Sequence, residues 1–129
     1  MAQLTATTYT GLLNALGNRN SRNIGHNTTA SRDSDSDVIV VSLHGNPIVA
    51  LWPDGTVDIS LAGYGTVTTR ERVNQFLPPC LSVVQRHYEQ KLALRHDGQV
   101  SYLPISTFGW HTVYTPDHGV EHAFLVAAN

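Results

Sequence analysis

Arginines, histidines and a run of threonines are the side chains of this 129-residue chain best suited to chemistry. There are seven arginines and a single lysine, Lys91. A guanidinium presents a planar fork of donors that matches phosphate or carboxylate, whereas an ammonium suits general solvation. Arg19, Arg22 and Arg32 stand in NRNSRNIGHNTTASRDSDSD, residues 18–37, a stretch with no continuous apolar face. They read as a binding arm for an anion. Disorder is the competing reading of such a composition, and Ile24 with the HNTTAS run also fits an edge strand. A second group is Gly63-Tyr64-Gly65 followed by Thr66, Thr68 and Thr69. A helix starting there would aim free N–H groups and a positive dipole end at a phosphate, with Tyr64 or Trp52 as a stacking face. Against this, Thr68-Thr69-Arg70-Glu71 matches a capping box, with Thr68 as the cap and the Glu71 carboxylate filling the place a phosphate would take. Both readings stand.

Seven histidines raise the question of metal or acid–base chemistry. His118 and His122 flank Asp117 and Glu121, but strand alternation sends neighbouring side chains to opposite faces, and no HExxH helix accompanies them. One His-x-Thr unit, His26-Asn27-Thr28, lacks the second copy that two-histidine phosphoesterases use. His87, His96 and His111 read as scaffold. His44 ends the most apolar strand where Gly45-Asn46-Pro47 begins a kink, a place where ligands often meet small domains. A histidine that satisfies turn carbonyls is its structural alternative. No G-x-S-x-G, P-loop or G-x-G-x-x-G occurs, so no catalytic pair is fixed by spacing.

The elements that must hold these groups are mostly strands. Hydrophobic residues make up 41% and charged residues 14%, a balance that suits a β-rich fold better than a helical bundle. The net charge of −2 offers no global field for DNA or membranes. Cys80 alone excludes an intrachain disulfide and a multi-cysteine zinc site. The start of the chain shows no signal peptide, and no apolar run reaches the length of a membrane span, so the expected location is cytosolic.

The spacing predicts one domain over 1–129. A short helix over Thr8–Leu16 ends at Gly17, and the polar arm or loop takes 18–37. Residues 38–78 form a core of hairpin and helix: strands over Val38–Leu43, buried on both faces, Pro47–Trp52 and Thr56–Leu61, then a helix from Thr68 to about Leu77. Pro53-Asp54-Gly55 supplies the hairpin turn, and the helix has Val73, Phe76 and Leu77 inward with Arg70 and Arg72 free. Residues 80–129 add hairpins over Leu81–Arg86, Lys91–Arg95, Gln99–Leu103, Val113–Tyr114 and Val120–Ala127. The fold class is α+β, mainly antiparallel hairpins in one or two small sheets with two short helices.

Several of these residues together carry a resemblance. They are Leu16-Gly17, Arg19, Ser21, Ile24, Asn27-Thr28, Arg32, Leu43-His44, Ile48-Val49, Asp54-Gly55, Gly63-Tyr64, Thr66, Thr68-Thr69, Arg72, Asn74 and Leu77. Over residues 16–77 the chain resembles a family of small proteins of tailed phages and prophages, especially those of actinobacteria. It departs from that pattern at Asn46-Pro47 and at Tyr64, where tryptophan is usual. The resemblance brings no assigned activity. It implies that the unusual polar positions follow a recurring plan, in a small accessory phage product acting by binding in the host cytoplasm.

The expected function is therefore a non-enzymatic phage binding protein, anti-defence in role and homo-oligomeric. It would recognise a phosphate-bearing ligand, either a nucleotide signal or nucleic acid. Its candidate ligand-binding residues are Arg19, Arg22, Asn27, Thr28, Arg32, His44, Tyr64, Thr66, Thr68, Thr69 and Arg72, with no catalytic residue, metal or cofactor. The alternatives are an inhibitor that binds a host or defence protein, a small histidine-dependent phosphodiesterase or nuclease, and a virion structural protein.

Overall fold

A computed structural model describes residues 4–117. Helix α1 (Tyr9–Leu16) is followed by strands β1 (Ser21–Gly25), β2 (Thr28–Arg32), β3 (Ile39–Leu43), β4 (Asn46–Leu51) and β5 (Val57–Ile59). Helix α2 (Val67–Asn74) leads to β6 (Leu81–Arg86), β7 (Glu89–His96), β8 (Gln99–Pro104) and β9 (His111–Tyr114). β1 to β5 and then β9 line up in one antiparallel six-stranded sheet, and β6 to β8 form a second sheet of three. The small sheet is thus an insertion between two neighbouring strands of the large one. The fold is α+β and strand-rich, as the composition predicts.

Local chemistry explains the elements. Thr8 caps α1 by accepting from the Gly11 N–H, and Gly17, at φ 58°, closes it with an N–H to the Leu13 carbonyl. Leu12 and Leu16 are the face this helix buries. The β4–β5 turn uses Gly55 at φ 100°, and the Asp54 carboxylate accepts from the Thr56 N–H. That bond holds Asp54 below the usual carboxylate range. The hairpin over His87-Tyr88 places both residues at positive φ, the backbone that a two-residue turn needs to match strand twist.

Some details differ from the sequence reading. The stretch expected as a polar arm contains the β1–β2 hairpin, whose Ile24, Thr28 and Ala30 are buried while the residues between them face outward. Its period-2 pattern is carried by Thr and Ala, which composition alone reads as polar. β3 buries Ile39, Val41 and Leu43 and leaves Val40 and Ser42 half-exposed, so it is covered on one face and not two. Val120–Ala127 lies outside the described residues.

Both sheets and both helices share one core. Ile39, Val41, Ile48, Val49 and Ile59 from the large sheet pack in the same cluster as Leu81, Val83 and Leu92 from the small one, joined by Val73 of α2 and by Phe76 just past its end. The helix is pinned there by Asn74. Its amide nitrogen donates to the Val83 carbonyl at 3.0 Å, and its oxygen accepts from the Val83 N–H at 2.6 Å. Replacing Asn74 by alanine strands two backbone groups beside a buried residue. We expect a loss of about 2 kcal/mol, read as a lower urea midpoint with an unchanged slope.

Candidate functional site at the N-terminus of the second helix

The turns at one end of the large sheet meet the start of α2. The β3–β4 turn is His44-Gly45, both at positive φ, and the His44 N–H donates to the Asn27 carbonyl in the β1–β2 turn at 2.8 Å. The chain leaving β5 turns at Ala62-Gly63, again both at positive φ, before reaching Thr66. Between them lies a cleft of about 400 Å³ lined by His44, Asn46, Tyr64, Thr66, Thr68 and Thr69 over a floor of Leu43, Ile48, Leu61 and Ala62. An apolar floor with a few convergent polar groups is the usual make-up of a small-ligand site, and the volume falls in the usual range. A left-handed backbone at a non-glycine residue costs on the order of 1 kcal/mol, and here it recurs at two lining residues, His44 and Ala62.

The helix cap is one turn feature that the sequence reading misplaces. Thr66, and not Thr68, is the cap: its Oγ1 accepts from the Thr69 N–H and donates to the Thr69 hydroxyl. The shift arises because Val67 already has helical geometry, so the Thr68–Glu71 match starts inside the helix and Glu71 falls past its first turn. Glu71 is exposed on the helix and has no place at the cap. The carboxylate that would have competed with a phosphate is therefore elsewhere, and Thr68 is exposed at the rim of the cleft. Neither arginine expected to be free on α2 is free. Arg70 Nη1 donates to the Gly65 carbonyl and to Gln85 and Gln90 of the small sheet, and Arg72 is buried against the β1–β2 turn.

The candidate residues of the sequence separate into two groups. His44, Tyr64, Thr66, Thr68 and Thr69 share the cleft, with Asn27 and Thr28 in the turn and strand beside it. Thr28 is fully buried and its hydroxyl donates to the His26 carbonyl, which makes it a turn brace. Arg22 and Arg32 stand at the opposite end of the β1–β2 hairpin, near the Ser21–Ser31 pair. Arg22 Nη1 donates to the Ala15 carbonyl, closing the C-terminal end of α1. Arg19 is exposed in the connection between α1 and β1. Trp52 also belongs to that far end. It lines a second cleft of about 410 Å³ with Tyr9, Phe76, Pro78 and Tyr114, and its Nε1 donates to Asp58.

Asn46 and Ala62 are lining residues that the sequence reading did not single out. The kink at Asn46-Pro47 was visible; the positive φ of Ala62 leaves no mark in an Ala-Gly pair. Among the described residues, no three histidine, cysteine or acidic side chains converge as metal ligands, and His118, Glu121 and His122 lie outside them. No helix among the described residues is long and apolar enough to cross a membrane.

The cap assignment separates two variants. Thr66→Ala is expected to lower stability by about 1 kcal/mol, and Thr68→Ala to stay within about 0.5 kcal/mol of the parent, in urea titration. The reverse order would restore Thr68 as the cap.

A family model, that of the Kyanoviridae Gp96 protein, matches residues 7–115, so the chain belongs to that phage protein family. The match confirms the phage resemblance and carries it past Pro78 through the small sheet and β9, where the sequence reading recognised nothing. It says nothing of actinobacteria. No curated protein and no solved structure matches the chain.

Proposed function

We propose that this member of the Kyanoviridae Gp96 family is a non-enzymatic phage binding protein whose cleft at the start of α2 holds a small phosphate-bearing ligand, a nucleotide in class. The observation that carries this reading is convergence. Tyr64, Thr66, Thr68 and Thr69, read from the sequence as a phosphate-binding helix start, line one cleft together with His44 from the β3–β4 turn. The N–H groups of the first turn point out of the helix there, and the positive end of its dipole favours an anion. The Thr68 hydroxyl can donate, and the Thr69 hydroxyl stands behind it. His44 adds a ring at the opposite wall. Tyr64, 53% exposed, offers a face wide enough for a base. Among the described residues, no carboxylate lines the cleft to repel a phosphate.

A second reading, an inhibitor that docks on a host or defence protein, is favoured by a different observation. Tyr64, Val67, Phe108 and Trp110 are large apolar side chains left exposed, and Phe108 lies against Gly63 beside the cleft. Aromatic residues of this kind are frequent anchors at protein interfaces.

Native mass spectrometry of protein purified gently from bacterial lysate, before and after denaturation, separates the two. The nucleotide reading predicts a retained mass that disappears on denaturation. It also predicts at least tenfold weaker rebinding, about 1.4 kcal/mol, in a Tyr64→Ala, Thr68→Val double variant whose melting temperature is little changed. A clean protein mass, together with a double variant that binds added nucleotides like the parent, would overturn it.

A further inference from the structure

Arg72 is the only charged side chain that the fold buries among the described residues, at 4% exposed. Its Nε and Nη1 have no hydrogen-bond partner, and Nη2 reaches only the His26 carbonyl, at 3.5 Å. The ion pairs among the described residues are Lys91–Glu89 and His96–Asp97, both elsewhere. A guanidinium does not deprotonate in a protein, and burying one without a partner costs several kcal/mol. A methionine would fill the same space with no such penalty. A cation kept in this place needs an anion.

The surroundings indicate which anion and by what route. Arg72 lies one helical turn after Thr69, which lines the cleft, and helical side chains lean toward the N-terminus; the guanidinium does not itself line the cleft. His26, which its guanidinium touches, is followed by Asn27, whose carbonyl takes the N–H of the cleft residue His44. On the outer side the cover is thin. A Cβ built on Gly25 would stand 2.5 Å from Leu4 Cδ2 and 3.6 Å from Arg72 Nη1, so Leu4 and the guanidinium meet over one α-carbon. Leu4 is 9% exposed, and its segment is tied down by the Thr5 N–H to the Ile24 carbonyl at 2.8 Å.

We propose that Arg72 is the counter-charge for the phosphate group of the ligand, uncovered when the side chain of Leu4 swings aside. The proposal rests on the reading of the cleft as a phosphate site and adds to it the cation that the lining residues lack. The end of the guanidinium formed by Nη1 and the weakly bonded Nη2 is the natural seat for two phosphate oxygens.

The test is the thermal melting of the full chain in sodium phosphate against sodium chloride at matched ionic strength. The parent should gain about 3 °C or more at phosphate concentrations ten times Kd. Arg72→Met should show no phosphate gain and melt in chloride at or above the parent, as expected when an unpaired buried charge is replaced by an apolar group. Leu4→Ala should respond to lower phosphate than the parent. As a check that needs no variant, the Arg72 Nε–H resonance of the parent should shift on adding phosphate. An equal phosphate gain in Arg72→Met, or an unmoved Nε–H resonance in phosphate that fills the cleft, overturns the proposal. An unchanged response in Leu4→Ala overturns the route. A nucleotide that binds through Tyr64 and Thr68 with Arg72 unaffected would end this inference and leave the cleft reading standing. Phosphate acting through Arg72 while no nucleotide binds would support the inference and remove the nucleotide from that reading.

Discussion

The double hydrogen bond between Asn74 and the backbone of Val83 fixes the position of α2, and most of what is distinctive in this molecule follows from that position. The helix is short and polar, with no apolar stripe wide enough to dock it strongly; Val73 is its one buried apolar residue. A helix of this length is not stable alone, so its place must come from specific partners. Asn74 supplies them at one end and the Thr66 cap at the other, with Arg70 bridging to Gln85 and Gln90 between. Held in this way, its first turn faces the hairpin turns of the large sheet. The cleft is the gap that remains.

The family match gives this arrangement a context. It spans the small sheet and β9 as well as the hairpins, so the insertion that holds α2 belongs to the family pattern. β9 returns from that insertion to pair with β5, and Val113 joins the common core. The two sheets therefore share one hydrophobic core, and α2 touches the small sheet at Asn74 and the cleft at its first turn.

Much of the fold was legible in the residues, for identifiable reasons. Pro53-Asp54-Gly55 is a turn with a stereochemical requirement, so its hairpin was expected where it occurs. Gly17 likewise ended α1. The β1–β2 hairpin was harder to see because its buried positions are Thr28 and Ala30, small residues that carry little hydrophobic signal. The threonine group was legible as a helix start and His44 as a strand end at a kink; that they line one cleft depends on the fold. The arginines were harder to read. A guanidinium is also a good structural donor, and Arg22 and Arg70 spend their N–H groups on the Ala15 and Gly65 carbonyls. Which role an arginine takes depends on contacts distant in sequence, and spacing does not encode them.

The central claim is that the first turn of α2 and the β3–β4 turn form one phosphate-binding surface. The most direct measurement is a titration of inorganic phosphate into isotopically labelled protein, followed by its backbone amide resonances. The account predicts that the amides of Val67, Thr68, Thr69 and His44 move together with a single dissociation constant, while those of Arg19, Arg22 and Arg32 stay in place. Movement confined to the arginine segment, or no saturable movement at any amide, would contradict it.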